Sequence, residues 1–170
     1  METVGPRGAM TDEDVLALYE RSVDDVYRYA TKLTGGDRAW ADELVQDTYE
    51  HLLQRARDGA LDRVDTGWLI VSCRHRFLDA LKAQRRRRAR EWRTATRDVE
   101  PVPDGGSFDA TAALGAVPLP QRTVLVLRYV DDLAVPDVAR LVGRSVRATE
   151  SLLVRARASL RRALEEGGTS

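Results

Sequence analysis

The sequence predicts an all-α protein: two small helical domains joined by a flexible linker, the second domain a helix-turn-helix. Three observations lead to this prediction. Apolar residues recur at helical spacing over most of the 170 residues, a stretch rich in proline, glycine and acidic residues interrupts that spacing, and a helix, glycine turn and helix pattern follows it. We therefore divide the chain into a disordered tail (1–10), a first domain (11–95), a linker (96–114), a second domain (115–165) and a tail (166–170).

Capping residues and glycines delimit the first two predicted helices. Thr11 with Asp14 forms a capping pair that opens the first helix, and Gly35 with Gly36 ends it. Asp37 can cap the second helix. The apolar face of the first helix comprises Val15, Tyr19, Val23, Val26, Tyr27, Ala30 and Leu33. The second helix pairs an apolar face containing Leu44 and Tyr49 with an acidic and polar face of Asp42, Glu43, Gln46, Asp47 and Glu50.

The third predicted helix follows a loop of about eight residues, and we expect Thr66 to cap it. Its apolar stripe comprises Leu69, Cys73, Phe77, Ala80 and Leu81, and its other side comprises Arg74, His75, Asp79, Lys82, Arg85, Arg86 and Arg90. Five arginines fall within the seven residues 84–90. A solvated helix end is one interpretation of such a run. With Trp68, Phe77 and Trp92 on the same element, we favour a nucleic-acid surface in which arginines contact phosphates and an aromatic ring stacks on a base.

A further helix from Pro118 to Asp132 leads into the helix-turn-helix. Val135 to Val142 forms a short amphipathic helix, Gly143 permits a sharp turn, and Ser145 caps the last helix. A helical hairpin with a basic surface has the same pattern, but we favour a recognition helix that enters the major groove of DNA. We expect Val146, Leu153, Ala156, Leu160 and Leu164 to pack inward, and Arg144, Arg147, Thr149, Glu150 and Ser151 to face outward.

The net charge is zero, but the charges are arranged in blocks. Residues 1–66 carry eight basic and fifteen acidic side chains, and residues 74–97 carry ten and two. Residues 98–139 carry two basic and seven acidic side chains, and residues 140–170 carry seven and three. The blocks predict two separate basic surfaces that can approach phosphate and an acidic surface that needs another kind of partner.

A single cysteine, Cys73, and two histidines leave no set of ligands for a structural zinc site and no intramolecular disulfide. Cys73 is either a redox-sensing thiol beside Arg74 or a small buried residue, and we favour the second. The sequence contains neither a secretory signal nor an apolar run long enough to span a membrane. We expect a cytoplasmic protein with no catalytic site, no metal and no cofactor.

Several segments together resemble the extracytoplasmic-function (ECF) sigma factors of bacterial RNA polymerase, from Leu18 to Leu164 in the expected order. In the first domain they are ADELVQDTY at residues 41–49, Trp68-Leu69 and RHRFLD at residues 74–79. In the second domain they are Pro118, Gln121-Arg122, Leu127-Arg128-Tyr129, Val138-Ala139, GRSV at residues 143–146 and Arg155-Ala156-Arg157.

The resemblance implies a sigma factor whose first domain is sigma region 2 and whose second is sigma region 4. Region 2 would bind the clamp helices of the largest polymerase subunit through Asp42, Glu43, Leu44, Gln46, Asp47, Tyr49 and Glu50. It would recognise and melt the -10 element of promoter DNA through Arg57, Arg63, Trp68, Arg74, His75, Asp79, Lys82, Arg85 and Arg86. Region 4 would contact the polymerase flap region and read the -35 element through Arg144, Ser145, Arg147, Thr149, Glu150, Ser151 and Arg155. An anti-sigma factor is a further expected partner.

The chain departs from the family pattern in two places. Residues 147–152 read RATESL where relatives usually have GTVKSR, so two usual basic contacts are absent, and His75 stands where asparagine is frequent. We expect Glu150 to alter the -35 preference, since a carboxylate can accept from a cytosine amino group.

Two other functions stay open. A helix-turn-helix regulator acting without polymerase would share the second domain, and a helix-bundle metal site would use Asp42, Glu43, Asp47, Glu50 and His51. The metal site lacks a second Glu-x-x-His element.

Overall fold

A computed structural model describes residues 10–91 and 110–168, with side chains up to residue 87 in the third helix. Within these ranges the chain forms helices without any strand. The helices are α1 (Asp12–Thr34), α2 (Arg38–Arg57), α3 (Thr66–Glu91), α4 (Ala110–Ala116), α5 (Leu119–Leu125), α6 (Val135–Val142) and α7 (Val146–Gly167), with a π-helical turn, Val126–Val130, continuing α5. The predicted all-α class and helix-turn-helix are confirmed.

The ends of α1 and α2 follow from their capping residues. Thr11 and Asp14 form a reciprocal capping box, in which the N–H of Thr11 donates to the Asp14 carboxylate at 2.9 Å. Gly35 ends α1 in the left-handed conformation, with φ of 67°. Asp37 caps α2 by accepting from the N–H of Trp40 at 3.0 Å.

The start and buried face of α3 differ from the prediction. Asp65, rather than Thr66, accepts from the backbone N–H of Trp68 at 2.9 Å, so the cap lies one residue earlier. Leu69, Cys73 and Phe77 are buried as expected, and Leu78 joins them. Ala80 is exposed because it lies beyond the stripe that packs on α1 and α2.

The structure contains a short helix, α4, that the sequence did not predict. Helix α4 starts at Ala110, inside the segment that the sequence assigned to the linker, because Ala113 packs into the core. The rest of that predicted linker, together with the Arg90 side chain and Trp92, lies outside the described residues.

The helix-turn-helix has the predicted turn but a different buried face on α7. Gly143 ends α6 with φ of 67°, and Ser145 caps α7 by accepting from the N–H of Ala148. Leu152, Leu153 and Ala156 are buried. Val146 and Leu164, which we expected to pack inward, are 43% and 38% exposed, because they lie near the two ends of α7, outside the buried stretch from Thr149 to Ala156.

The two domains pack against each other and share one cluster of buried apolar side chains. Helix α1 contacts α4 and α5 at its C-terminal end. There Arg122 of α5 is buried beneath Gly35, and its Nη2 donates to the carbonyl of Val117 at 3.3 Å. Burial lowers the pKa of the Arg122 guanidinium, and Asp37 partly offsets this effect.

Candidate functional site

An acidic face on α2 borders an open groove between α1 and α2. The Gln46 amide donates to Glu50 at 2.8 Å, and no cation in the described part of the chain pairs with Asp42, Glu43 or Asp47. All five of these polar side chains are exposed. The groove is lined by Tyr19, Val23, Tyr27, Asp42, Val45, Gln46, Tyr49, Glu50 and Leu53. It therefore combines an apolar floor with an acidic rim, which suits a partner with apolar and basic groups.

Two residues predicted to bind a partner on this face are buried. Leu44 is only 2% exposed and packs in the core, so it cannot contact a partner directly. Tyr49 is 8% exposed, and its hydroxyl lies 2.7 Å from the hydroxyl of Ser22. Burial raises the pKa of Tyr49, and the Ser22 hydrogen bond partly offsets this effect. The Tyr49 ring borders the groove through an edge contact with Tyr19, with centroids 4.9 Å apart.

The α1 side of the groove was missed by the sequence analysis. Tyr19, Val23 and Tyr27 recur every four residues and were placed on the apolar face of the first helix, yet Tyr19 is 43% exposed. The alternative stripe of Leu18, Ser22, Val26 and Tyr29 fills the core instead. The available signal was a pair of tyrosines eight residues apart, on a stripe of α1 that lies beside the buried one.

The predicted -10 residues lie at the end of α2, in the α2–α3 loop and along α3, and they form two groups. Arg57, Arg63, His75 and Arg86 are exposed, and Lys82 pairs loosely with Asp79 at 3.8 Å on the surface. The remaining three, Trp68, Arg74 and Arg85, contact other parts of the protein.

Trp68 stacks on His51, and the side chains of Arg74 and Arg85 contact the second domain. Arg74 Nη1 lies 3.4 Å from Oδ2 of Asp131, and Arg85 Nη1 donates to the carbonyl of Val142 at 3.2 Å. Arg74 is only 14% exposed, so in this arrangement it is not open to DNA as we expected. The reason is that the second domain supplies a buried carboxylate, which the sequence could not place beside Arg74.

Most predicted residues of the recognition helix do face solvent. Arg144, Arg147, Glu150, Ser151 and Arg155 are exposed around the N-terminal half of α7 and the turn before it. Ser145 is exposed as well, although its hydroxyl is engaged as the cap.

Thr149 is the exception in the recognition helix. Its side chain is fully buried, and its hydroxyl donates to the carbonyl of Ser145 at 2.9 Å. In this structure the Thr149 side chain is therefore not exposed for the DNA contact that we expected. It lies on the same face of the helix as Leu152, Leu153 and Ala156, and its methyl group can pack in the core because its hydroxyl is satisfied by the backbone.

Cys73 is fully buried in α3, as we favoured. Burial raises the pKa of its thiol to about 11, and a hydrogen bond with Thr48 partly offsets this effect. A thiol of this kind is poorly ionised near neutral pH.

The described residues contain no group of three or more His, Cys, Asp and Glu side chains arranged to hold a metal ion. None of the helices in residues 10–91 and 110–168 has the length and apolar character needed to cross a membrane.

Comparison with known proteins assigns both domains. Residues 18–87 match the family model of Sigma-70 region 2, and residues 108–160 match that of Sigma-70, region 4. The ECF RNA polymerase sigma factor SigM of Mycobacterium tuberculosis is 31% identical over 153 residues, covering 86% of this chain and 75% of SigM. The chain belongs to the ECF family of RNA polymerase sigma factors. The predicted family is thus confirmed.

Two further relatives extend this comparison. The ECF RNA polymerase sigma factor BldN of Streptomyces coelicolor is 29% identical to this sigma factor over 161 residues, covering 88% of the chain and 60% of BldN. The solved sigma factor RpoE of Bartonella quintana, in complex with the anti-sigma factor NepR, has a TM-score of 0.53 and 21% identity, over 90% of this chain and 98% of that one. This structural likeness concerns the fold alone.

Proposed function

We propose that this ECF sigma factor binds core RNA polymerase and directs transcription initiation at promoters with specific -10 and -35 elements. The observation that carries the proposal is the separation of an acidic groove from two basic surfaces. The groove on α1 and α2 suits a protein partner, whereas α3 and the start of α7 suit DNA. The protein would act in the cytoplasm as a non-enzymatic specificity subunit, with the catalytic chemistry supplied by polymerase.

The groove is the proposed docking site for the clamp helices of the largest polymerase subunit. Asp42 lines the groove, and Glu43 and Asp47 continue the exposed acidic face of α2 beside it. None of the three pairs with a cation among the described residues, so they keep their charge available for a basic partner. Tyr19 and Leu53 add apolar contact area along the floor. Complementary charge speeds association and fixes the register, while apolar burial supplies much of the affinity. We propose that region 4 contacts the flap region of polymerase in addition.

The basic face of α3 is the proposed site for the -10 element. Exposed arginines on the loop and helix can neutralise phosphates, and Trp68 offers an aromatic face near them. On α7, Arg147, Glu150 and Ser151 follow the capped N-terminus, which is the part of a recognition helix that reaches base edges. We propose that they read the -35 element as duplex DNA.

An anti-sigma factor is the proposed regulatory partner. RpoE of B. quintana was solved with the anti-sigma factor NepR. The exposed groove and the basic faces of this chain are surfaces that such a protein would occlude. The chain spans 60% of BldN and 75% of SigM, so the activities of those whole proteins are extended to this one only as proposals.

Capture of core polymerase distinguishes a sigma factor from a regulator that binds operator DNA without polymerase. The tagged protein should retain purified core polymerase at nanomolar concentrations, and polymerase should be required for binding to promoter duplex at physiological salt. Duplex binding that needs no polymerase, together with no retention of polymerase, would favour the regulator. That alternative leaves the acidic groove without a role.

A further inference from the structure

An exposed valine lies at the centre of the outward face of α7. Val154 is 58% exposed, the highest fraction among the large apolar side chains of the described residues. The buried side of the same helix comprises Thr149, Leu152, Leu153 and Ala156. At about 3.6 residues per turn, Val154 points roughly 160° away from Ala156. Its side chain therefore points away from the core.

The neighbours of Val154 on that face are the residues proposed to read the -35 element. Arg147 lies seven residues before it, Glu150 four and Ser151 three, so they follow one side of the helix. The Ser151 hydroxyl donates to the carbonyl of Arg147 at 3.0 Å, and Nε of Arg155 donates to the carbonyl of Ser151 at 3.4 Å. These two side chains are bonded along their own helix, and Val154 stays uncovered between them.

Neither packing nor helix formation accounts for a valine at residue 154. An exposed side chain adds nothing to the core, and valine is less favourable than alanine in a helix, because its branched Cβ crowds the preceding turn. Single exposed apolar residues are common on protein surfaces, but this one stands on the part of a recognition helix that enters the major groove. The same branching leaves one dominant rotamer. Val154 therefore offers a rigid apolar contact within a polar face.

Thymine is the base that carries a methyl group on its major-groove edge. The other bases present hydrogen-bond donors or acceptors there, and an apolar side chain would take water from these groups without replacing the hydrogen bond. A rise of about 1.5 Å per residue places Val154 roughly 10 Å along α7 from Arg147, which corresponds to at most about three base pairs of duplex. The two residues can thus contact different base pairs.

We propose that Val154 is a specificity-determining residue that recognises the 5-methyl group of one thymine in the -35 element. The inference rests on the proposed binding of α7 to that element. Arg147 and Arg155 attract the DNA, and the methyl groups of Val154 then pack on the methyl group of the thymine. The contact favours thymine because it removes apolar surface of both partners from water.

Uracil in place of thymine tests the contact, because this change removes only the methyl group. Promoter duplexes selected from a randomised -35 library receive uracil at each thymine of either strand in turn, and holoenzyme formed with core polymerase is titrated against each duplex. With the parent protein, uracil at one position should weaken binding about fourfold, the effect of one methyl-sized group. Val154→Ala should bind the thymine duplex about as weakly and should no longer distinguish uracil from thymine there, since coupling between the two changes reports a direct contact.

Leu164→Ala provides a matched control, since it shortens another exposed apolar side chain of α7, roughly 15 Å further along the helix. It should distinguish uracil from thymine as the parent does, and circular dichroism should show equal helix content in all three proteins. A selected element without thymine, no effect of uracil on the parent, or an equal effect on Val154→Ala would overturn the inference. Each of these results leaves a sequence-specific -35 element, and with it the proposed function, intact. Parent holoenzyme that binds every -35 sequence equally would contradict the proposed function as well.

Discussion

The indole of Trp68 lies flat against the imidazole of His51, with ring centroids 5.9 Å apart and planes 5° from parallel. The contact joins the end of α2 to the start of α3, where the -10 element is proposed to bind. One face of the indole is therefore covered by protein. Only the other face of Trp68 is left to stack on an unpaired base.

We expect the His51 imidazole to be neutral at pH 7. Burial lowers its pKa below the usual value of 6.5, and Arg76 and Arg55 add to the effect. As the pH falls, His51 is protonated in the unfolded chain at about pH 6.5 and in the folded chain only at a lower pH. Between these two pKa values, acidification should therefore lower the free energy of unfolding. Nuclear magnetic resonance should give His51 a titration midpoint below 6.5, and His51→Gln should remove that transition. A His51 midpoint at or above 6.5 would contradict this account of the stack.

The acidic rim should determine affinity for core polymerase. Asp47→Arg reverses an exposed charge beside the groove and should weaken binding about 10- to 100-fold, or roughly 1.4–2.7 kcal/mol. Asp24→Arg makes the same charge change at an exposed site on α1, outside the acidic face of α2, and provides a matched control. The affinities can be measured by fluorescence anisotropy with labelled protein. Equal losses for the two variants would mean that net charge, and not the acidic face of α2, governs binding.

The exposed arginines of α3 should determine the salt dependence of DNA binding. Arg86→Ala should reduce the slope of log affinity against log salt for single-stranded DNA by roughly 0.7, the value for one lost phosphate contact. Arg161→Ala, at the far end of α7, should leave the slope unchanged. An unaltered slope for Arg86→Ala would favour the solvated helix end over a phosphate contact.

Glu150 should influence base preference at the -35 element. It is exposed on α7, one turn beyond Arg147, and the core does not use it. If its carboxylate accepts from a cytosine amino group, Glu150→Gln should change the preferred base at one position, with about 1–3 kcal/mol of discrimination at stake. Selection from a randomised -35 library checks this. If Glu150→Gln instead binds every sequence more tightly to the same extent, Glu150 only weakens binding by repelling DNA phosphates.

Local signals in the sequence predicted the helices well, whereas contacts between distant segments could not be predicted. Thr11, Gly35, Asp37 and Ser145 cap or end helices as expected, because capping depends on neighbours within a few residues. Thr149 was assigned to DNA because hydroxyl residues are polar, although a threonine bonded to its own helix can be buried.

The partners of Arg74 and Tyr19 depend on tertiary packing. Arg74 pairs with Asp131, which is 57 residues away in the sequence, and no periodicity links the two. The helical spacing of Tyr19 is compatible with a place in the core and with a place along the groove. Its actual place depends on how α2 packs on α1, because α2 covers Leu18 and Ser22 instead. The acidic face of α2 was identifiable because its members share one surface and one charge sign.

Transcription from core polymerase with and without this protein, followed by sequencing of the transcript 5′ ends, tests the central claim most directly. Genomic DNA from the source bacterium serves as the template. The account predicts new start sites that appear only with the protein and share one -10 and one -35 sequence at a fixed spacing. Asp47→Arg should lose these start sites, and Asp24→Arg should retain them. Identical sets of start sites with and without the protein, although it remains folded and bound to polymerase, would contradict the account.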